Sequence, residues 1–403
     1  MNRFAVRLLK QCRLSSTKSK AVLSSLFPKK ASKFAHENKV ADFVSKLRAN
    51  YTSGGNVQPK RMRDSYVEDY LRFSTDPDAL EEYKDISGTT IRVGKILEDI
   101  DALAGMIGFT HALDETNKDC VQVVTASLDR IDMLRKFPID KDIKLSGFVT
   151  FVGTSSMEIS IVVEALPEAA PAPGEEGIGY AASLVNRNGL AILTAKFIMV
   201  AINKETMKSF PVTPLSLETE EDHALYVAGA EHKARKQAAS AIALTKKPPN
   251  VEEMYLVHDL YLKSRNYSIG KEPKPDNVLF MSGYLMRVAF ELAYATAVMA
   301  CKSYNIEFLA LDDLTFRLPV PIGSIISLSS KFVYSTKSTF QISVIVDILN
   351  VVTGERKTSN DFYFTFTCKD IEKFPHVLPQ SYAESVLYIE AKRRQKRFKE
   401  LQE

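Results

Sequence analysis

The chain carries the same pattern twice. Residues 128–166, LDRIDMLRKFPIDKDIKLSGFVTFVGTSSMEISIVVEAL, lie over 311–349, LDDLTFRLPVPIGSIISLSSKFVYSTKSTFQISVIVDIL, without a gap, at a constant offset of 183 and with 12 of 39 positions identical. A second match pairs GKILEDIDALAG (94–105) with GYLMRVAFELAY (283–294) at an offset of 189, so a longer loop must follow the first helix. At 403 residues the chain also exceeds the roughly 250 at which single cores stop growing, and two copies of one domain resolve that excess.

Each copy reads as a helix followed by strands. Ile143, Leu145 and Gly147 alternate with Lys144 and Ser146, and Met157, Ile159, Ile161 and Val163 repeat the period of two. The stretches 189–202 (GLAILTAKFIMVAI) and 358–368 (TSNDFYFTFTC) supply a last strand each. One helix followed by antiparallel strands buries its apolar face only when the sheet wraps around it. The expected class is therefore α+β, two tandem units of a sheet around a central helix. Between them, 218–246 predicts a linker helix, with Glu218, Glu220, Glu221 and Asp222 at its start and Lys233, Arg235, Lys236 and Lys246 later. That polarity suits the helix dipole, and Pro248–Pro249 end it. The closing AKRRQKRFKELQE predicts a solvated helix end. The boundaries that follow are a leader over 1–35, a first unit over 57–210, a linker helix over 211–250, a second unit over 251–372 and a helical tail over 373–403.

Charge marks the leader. Residues 1–34 hold nine basic side chains, with serines between them, and no acid precedes Glu37. That is the composition of a mitochondrial transit peptide; the alternative is a basic arm that binds nucleic acid. Without these nine, 44 of the 53 basic residues remain against 49 acidic ones, a formal −5, so no nucleic-acid partner is expected. No uninterrupted apolar run approaches the ~20 residues of a membrane span. The four cysteines have no close spacing, which disfavours a disulfide framework or a CxxC zinc site.

The two helices differ where chemistry would need them to. In the first, Ile96, Leu97, Ile100, Leu103, Ala104 and Ile107 form one stripe, bordered on opposite sides by Asp99 and Asp101. Periodicity does not choose between these aspartates, and a solvated edge explains either. The second helix is apolar nearly all round, which predicts deeper burial; Phe290 stands at the position of Asp101, and its carboxylate Glu291 matches Ala102. No HExxH, GxSxG or Gly-rich phosphate loop is present, so zinc hydrolysis, a serine nucleophile and nicotinamide chemistry are disfavoured.

The strings GKILEDIDALAG, VVTASLDRIDM and GFVTFVGTSSMEISI, with SGYLMRVAFELAYATA and FLALDDLTF in the second copy, resemble the tandem hotdog acyl-CoA thioesterases. With RMRDSYVE, SYAESVLY and the basic leader they are similar to a mitochondrial subgroup of that family, over roughly 57–390. The resemblance implies two hotdog units paired as an internal pseudo-dimer, assembly into homo-oligomers such as trimers, an acyl-CoA substrate and no cofactor or metal. It also implies sites between the two helices, made from an acid seven residues after one helix-opening glycine and an asparagine ahead of the other helix. Seven from Gly94 is Asp101; seven from Gly283 is Phe290. Asn277 precedes Gly283 by six residues where the family has about eight, and no asparagine stands in DISGTTIRV before Gly94. The resemblance thus picks one site: Asp101 as general base or nucleophile, Asn277 to orient substrate, and Ser282 and Gly283 at the oxyanion-binding helix start. Arg287 is a weak candidate for the phosphates of coenzyme A. The competing readings are a non-catalytic acyl-CoA sensor and a hotdog hydratase or dehydratase built on Glu291, which lacks the histidine such enzymes place in the preceding loop.

Overall fold

The computed structural model describes residues 58–400 except 86–87, 89, 115–116, 118, 173–174, 176, 178, 181–190, 242–243, 245–246, 265–281, 313, 316–319, 321–324, 350–353, 372–373 and 375. These residues fall within one compact unit, Leu47–Glu403; the expected leader lies outside the described residues. The first half runs β1 (Lys60–Arg61), a 3-10 turn (Met62–Ser65), β2 (Val67–Leu71), α1 (Pro77–Tyr83), α2 (Val93–Ala112), β3 (Val121–Met133), β4 (Ile143–Val152), β5 (Ser156–Ala165) and β6 (Ala191–Asn203). Then come β7 (Leu215–Ser216), α3 (Glu220–Ala241) and α4 (Val251–Ser264). The second half runs α5 (Ser282–Cys301), β8 (Ile306–Leu311), β9 (Leu314–Thr315), β10 (Ile325–Ser335), β11 (Phe340–Leu349), β12 (Arg356–Cys368) and α6 (Tyr382–Glu400).

Among the described residues, ten strands form one sheet in the order β10-β11-β12-β8-β3-β6-β5-β4-β2, with β9 also paired to β3. Outward from the centre the two copies run alike, β3-β6-β5-β4 and β8-β12-β11-β10. The seam tests the duplication directly. Ile131 pairs with Leu311 and Leu128 with Leu314. Adding the offset of 183 to one member of each pair yields the partner in the other, so the contact is isologous, as across a two-fold axis. The central helices obey the same symmetry: α2 and α5 are each 20 residues long and start 189 apart.

The predicted stripe of α2 is the core of the first copy: Ile96, Leu97, Ile100, Leu103, Ala104 and Ile107 are all buried. The helix closes on the sheet at Gly147, where a Cβ would come within 3.0 Å of Ile107 and 2.5 Å of the Ser160 carbonyl oxygen. Its other side is covered by residues ahead of it. Met62 and Phe73 are buried there, Lys95 is ion-paired to Glu82, and Lys60 Nζ donates to the carbonyls of Thr110, His111 and Leu113 at the helix end. Burial lowers the Lys60 ammonium to about 8.

The deeper burial expected for α5 is not found. Leu285, Met286, Ala289, Phe290, Ala293 and Ala297 pack inward, but only 39% of its most apolar window is buried and Met299 is exposed. Elements ahead of α2 cover its second face, and among the described residues none does the same for α5. By length and a mean hydropathy of 1.3, Gly283–Cys301 passes as a possible membrane span. Here that stretch is the core helix of the second copy.

The other face of the sheet carries α3 and α6, and they occupy matching places. Tyr226 of α3 meets the Phe151 ring at 4.9 Å, and Tyr388 of α6 meets Tyr334 at 5.0 Å; Phe151 and Tyr334 are 183 apart. His232 Nδ1 lies 2.8 Å from Glu158 Oε2, while Arg394 Nε donates to Gln341 Oε1 at 3.5 Å, again on strand positions 183 apart. The segments read as a linker and a solvated end are thus docked outer helices. Their docking faces use Tyr, Gly, His and Arg in place of an aliphatic stripe, so periodicity does not reveal them.

Candidate active site

The N-terminal halves of α2 and α5 lie against each other, glycine to opposing helix in both directions. A Cβ placed on Gly283 would sit 3.1 Å from Asp101 Oδ2, 3.3 Å from Asp101 Cβ and 3.3 Å from the Glu98 carbonyl oxygen. Only a residue without a side chain lets the first turn of α5 approach that carboxylate so closely. The mirror contact has no carboxylate: a Cβ on Gly94 would meet the stem and carbonyl of Arg287 at 3.0 and 3.3 Å and the Phe290 ring at 3.5 Å. Phe290 packs into an aromatic cluster with Phe308, Phe364 and Phe366.

The same geometry separates the two aspartates. Asp99 accepts a 2.6 Å hydrogen bond from Tyr83 Oη of α1, and burial together with that carboxylate raises the Tyr83 hydroxyl above its ordinary range. Asp101 turns instead towards α5 and accepts a 3.1 Å hydrogen bond from Thr125 Oγ1 of β3. Sequence reasoning missed Thr125, although a signal exists. Val121, Val123 and Thr125 alternate along β3, which places a hydroxyl on the helix-facing side of an apolar strand.

No family model matches the chain. Among curated proteins, human mitochondrial acyl-coenzyme A thioesterase 9 is 31% identical over 369 residues, covering 85% of this chain and 79% of its own. The chloroplastic acyl-coenzyme A thioesterase 2 of Humulus lupulus is 30% identical over 325 residues, 74% of this chain and 71% of its own. The chain belongs to the acyl-CoA thioesterase family. Among solved structures, an apo-hexameric acyl-CoA thioesterase aligns over 46% of this chain and 99% of its own at 25% identity and a TM-score of 0.34.

The remaining sequence candidates of this thioesterase divide plainly. Asn277 lies outside the described residues; Ser282 opens α5, with its side chain likewise outside them. Glu291 is ion-paired to Arg92, the residue preceding α2. Arg287 is not free at a surface for phosphates: its guanidinium pairs with Glu98 at 2.7 Å, and both side chains are largely buried.

One described cluster has metal-ligand spacing, Asp129, Glu158 and His232, with ligand atoms within 4.8 Å of one another. Cations already occupy its carboxylates. Lys196 reaches Glu158 at 3.1 Å, and Lys236 is ion-paired to Asp129. The cluster lies under α3, on the face of the sheet opposite Asp101, and its arrangement is that of a clamp for the outer helix.

Proposed function

We propose that this chain is a mitochondrial acyl-CoA thioesterase, hydrolysing acyl-CoA to a free carboxylic acid and coenzyme A at one site formed by both copies. The observation that carries the reading is the Asp101 carboxylate of α2 held at the first turn of α5. A helix start offers N–H groups with no intrahelical partner and the positive end of the dipole. A thioester carbonyl placed there has its developing oxyanion stabilised, and one such donor is typically worth about 10²- to 10³-fold in rate.

Asp101 then takes a proton from water as the water attacks the carbonyl carbon, a role worth roughly 10²- to 10⁴-fold. The tetrahedral intermediate collapses with cleavage of the C–S bond, and the thiolate of coenzyme A leaves and is protonated. Thr125 holds one carboxylate oxygen at 3.1 Å and leaves the other directed to the site. Asn277 is proposed to orient the substrate from the loop ahead of α5. The reaction as written draws on no cofactor beyond the coenzyme A of the substrate. The basic leader, together with relatives named as mitochondrial, supports the compartment. Assembly into homo-oligomers is proposed from the resemblance.

Thiol release from short, long and branched acyl-CoAs by the full chain tests this function. Turnover of at least one class supports it. Tight binding of acyl-CoA without thiol release contradicts it and makes the protein a sensor.

A further inference from the structure

We infer that the Glu98–Arg287 ion pair is the positioning device that sets α2 in register with α5 and so holds the Asp101 carboxylate at the start of α5. The inference rests on the site proposed above. The two residues are equivalents, 189 apart, and bond each other at 2.7 Å. They therefore sit at the internal two-fold axis, where in a pair of identical units a residue meets its own copy. Glu facing Glu, or Arg facing Arg, would repel; only a duplicated chain can place opposite charges at this point. Divergence of the copies has turned a self-contact into a directed bond.

Its position ties it to the site. Asp101 lies three residues after Glu98 and Gly283 four before Arg287, so each stands one turn away on the same helix face. The Glu98 carbonyl oxygen itself lies 3.3 Å from where a Gly283 Cβ would be, and the stem of Arg287 rests at 3.0 Å against the matching point on Gly94. Sliding one helix by a residue shifts the carboxylate by about 1.5 Å, and misplacement of about 1 Å costs on the order of 10²-fold in rate. The Arg287 guanidinium also lies over the Tyr284 ring at 4.9 Å, but the pair is costly to bury. Its side chains are 12% and 14% exposed, and Arg287 Nε is buried without a hydrogen-bond partner among the described residues. Buried pairs of that kind add little to folding, and their best-attested use is to fix register.

The test measures kcat, KM and Tm on the full chain for Glu98→Met with Arg287→Met, for Arg287→Lys, and for Asp101→Asn in parallel. The double Met variant removes both charges at once and leaves neither buried and unpaired, so it is expected to fold with a Tm near the parent. Its kcat is expected to fall about 10- to 100-fold with KM within threefold. Arg287→Lys, which keeps the pair, should retain most of the parent rate. A double Met variant with the parent kcat, beside an inactive Asp101→Asn, overturns the positioning role and leaves the site standing. A loss of activity that merely follows a loss of folded protein, with kcat per folded chain unchanged, overturns it as well. An Asp101→Asn variant as active as the parent instead removes the site on which the inference rests.

Discussion

Asp101 and Gly283 make sense only together. A methyl on Gly283 would press on a carboxylate oxygen at 3.1 Å and on backbone at 3.3 Å, so the two helices must part by a few tenths of an ångström. Gly283→Ala is accordingly expected to lower kcat about tenfold or more while leaving Tm near the parent, because helix propensity favours Ala over Gly by about 1 kcal/mol. Steady-state kinetics beside thermal unfolding checks this. Thr125→Val keeps shape but removes the donor to Asp101. A hydrogen bond to a charged group contributes about 1.5–3 kcal/mol, so a 10- to 100-fold fall in kcat is expected, and an unchanged kcat would refute the role. At this scale the sequence is half legible. The stripe of α2 narrows the acids to Asp99 and Asp101. Their difference depends on Tyr83 and Gly283, which come from other elements and are invisible to periodicity within one helix.

Among the elements, the outer helices separate what patterning detects from what it does not. Strand alternation and the core helices are readable because they bury aliphatic residues at regular spacing. The docking of α3 rests instead on a polar clamp at Glu158, His232, Asp129 and Lys236. Burial by itself would raise the Glu158 carboxyl, but its bonds to His232 and Lys196 outweigh that and hold it below its ordinary 4.5. Below 4.5 the unfolded chain takes up this proton before the folded one does. Stability from Glu158 is therefore complete above pH 4.5 and lost as pH falls through the depressed value. Glu158→Gln should flatten the acid limb of a stability–pH curve below pH 4.5, read from denaturant midpoints. An acid limb as steep as the parent's would show that the clamp is not what titrates. The misjudged burial of α5 belongs here too, since an all-round apolar helix does not reveal which of its faces a neighbour covers.

At the scale of the molecule, the two copies share a fold but differ at the helix pair, with Asp101 opposite Gly283 and Phe290 opposite Gly94. At the position equivalent to Asp101 the second copy carries Phe290, inside an aromatic cluster, so the start of α2 faces a ring where the start of α5 faces a carboxylate. If the proposed site is right, one acyl-CoA binds per chain. Titration with a non-hydrolysable acyl-CoA analogue should saturate at one equivalent per chain, and two equivalents would mean that the Phe290 side still binds. The duplication itself was legible from an offset of 183 and is repeated in the strand seam, whereas the extension of the repeat to α3 and α6 emerges only from matched contacts. The role of Asp101 is tested by comparing thiol release by Asp101→Asn and Asp99→Asn at saturating acyl-CoA, with binding measured alongside. At least about a 100-fold loss is expected for Asp101→Asn with affinity retained, and a near-parent rate for Asp99→Asn, whose carboxylate accepts from Tyr83. An Asp101→Asn variant that turns over within a few fold of the parent would contradict that role.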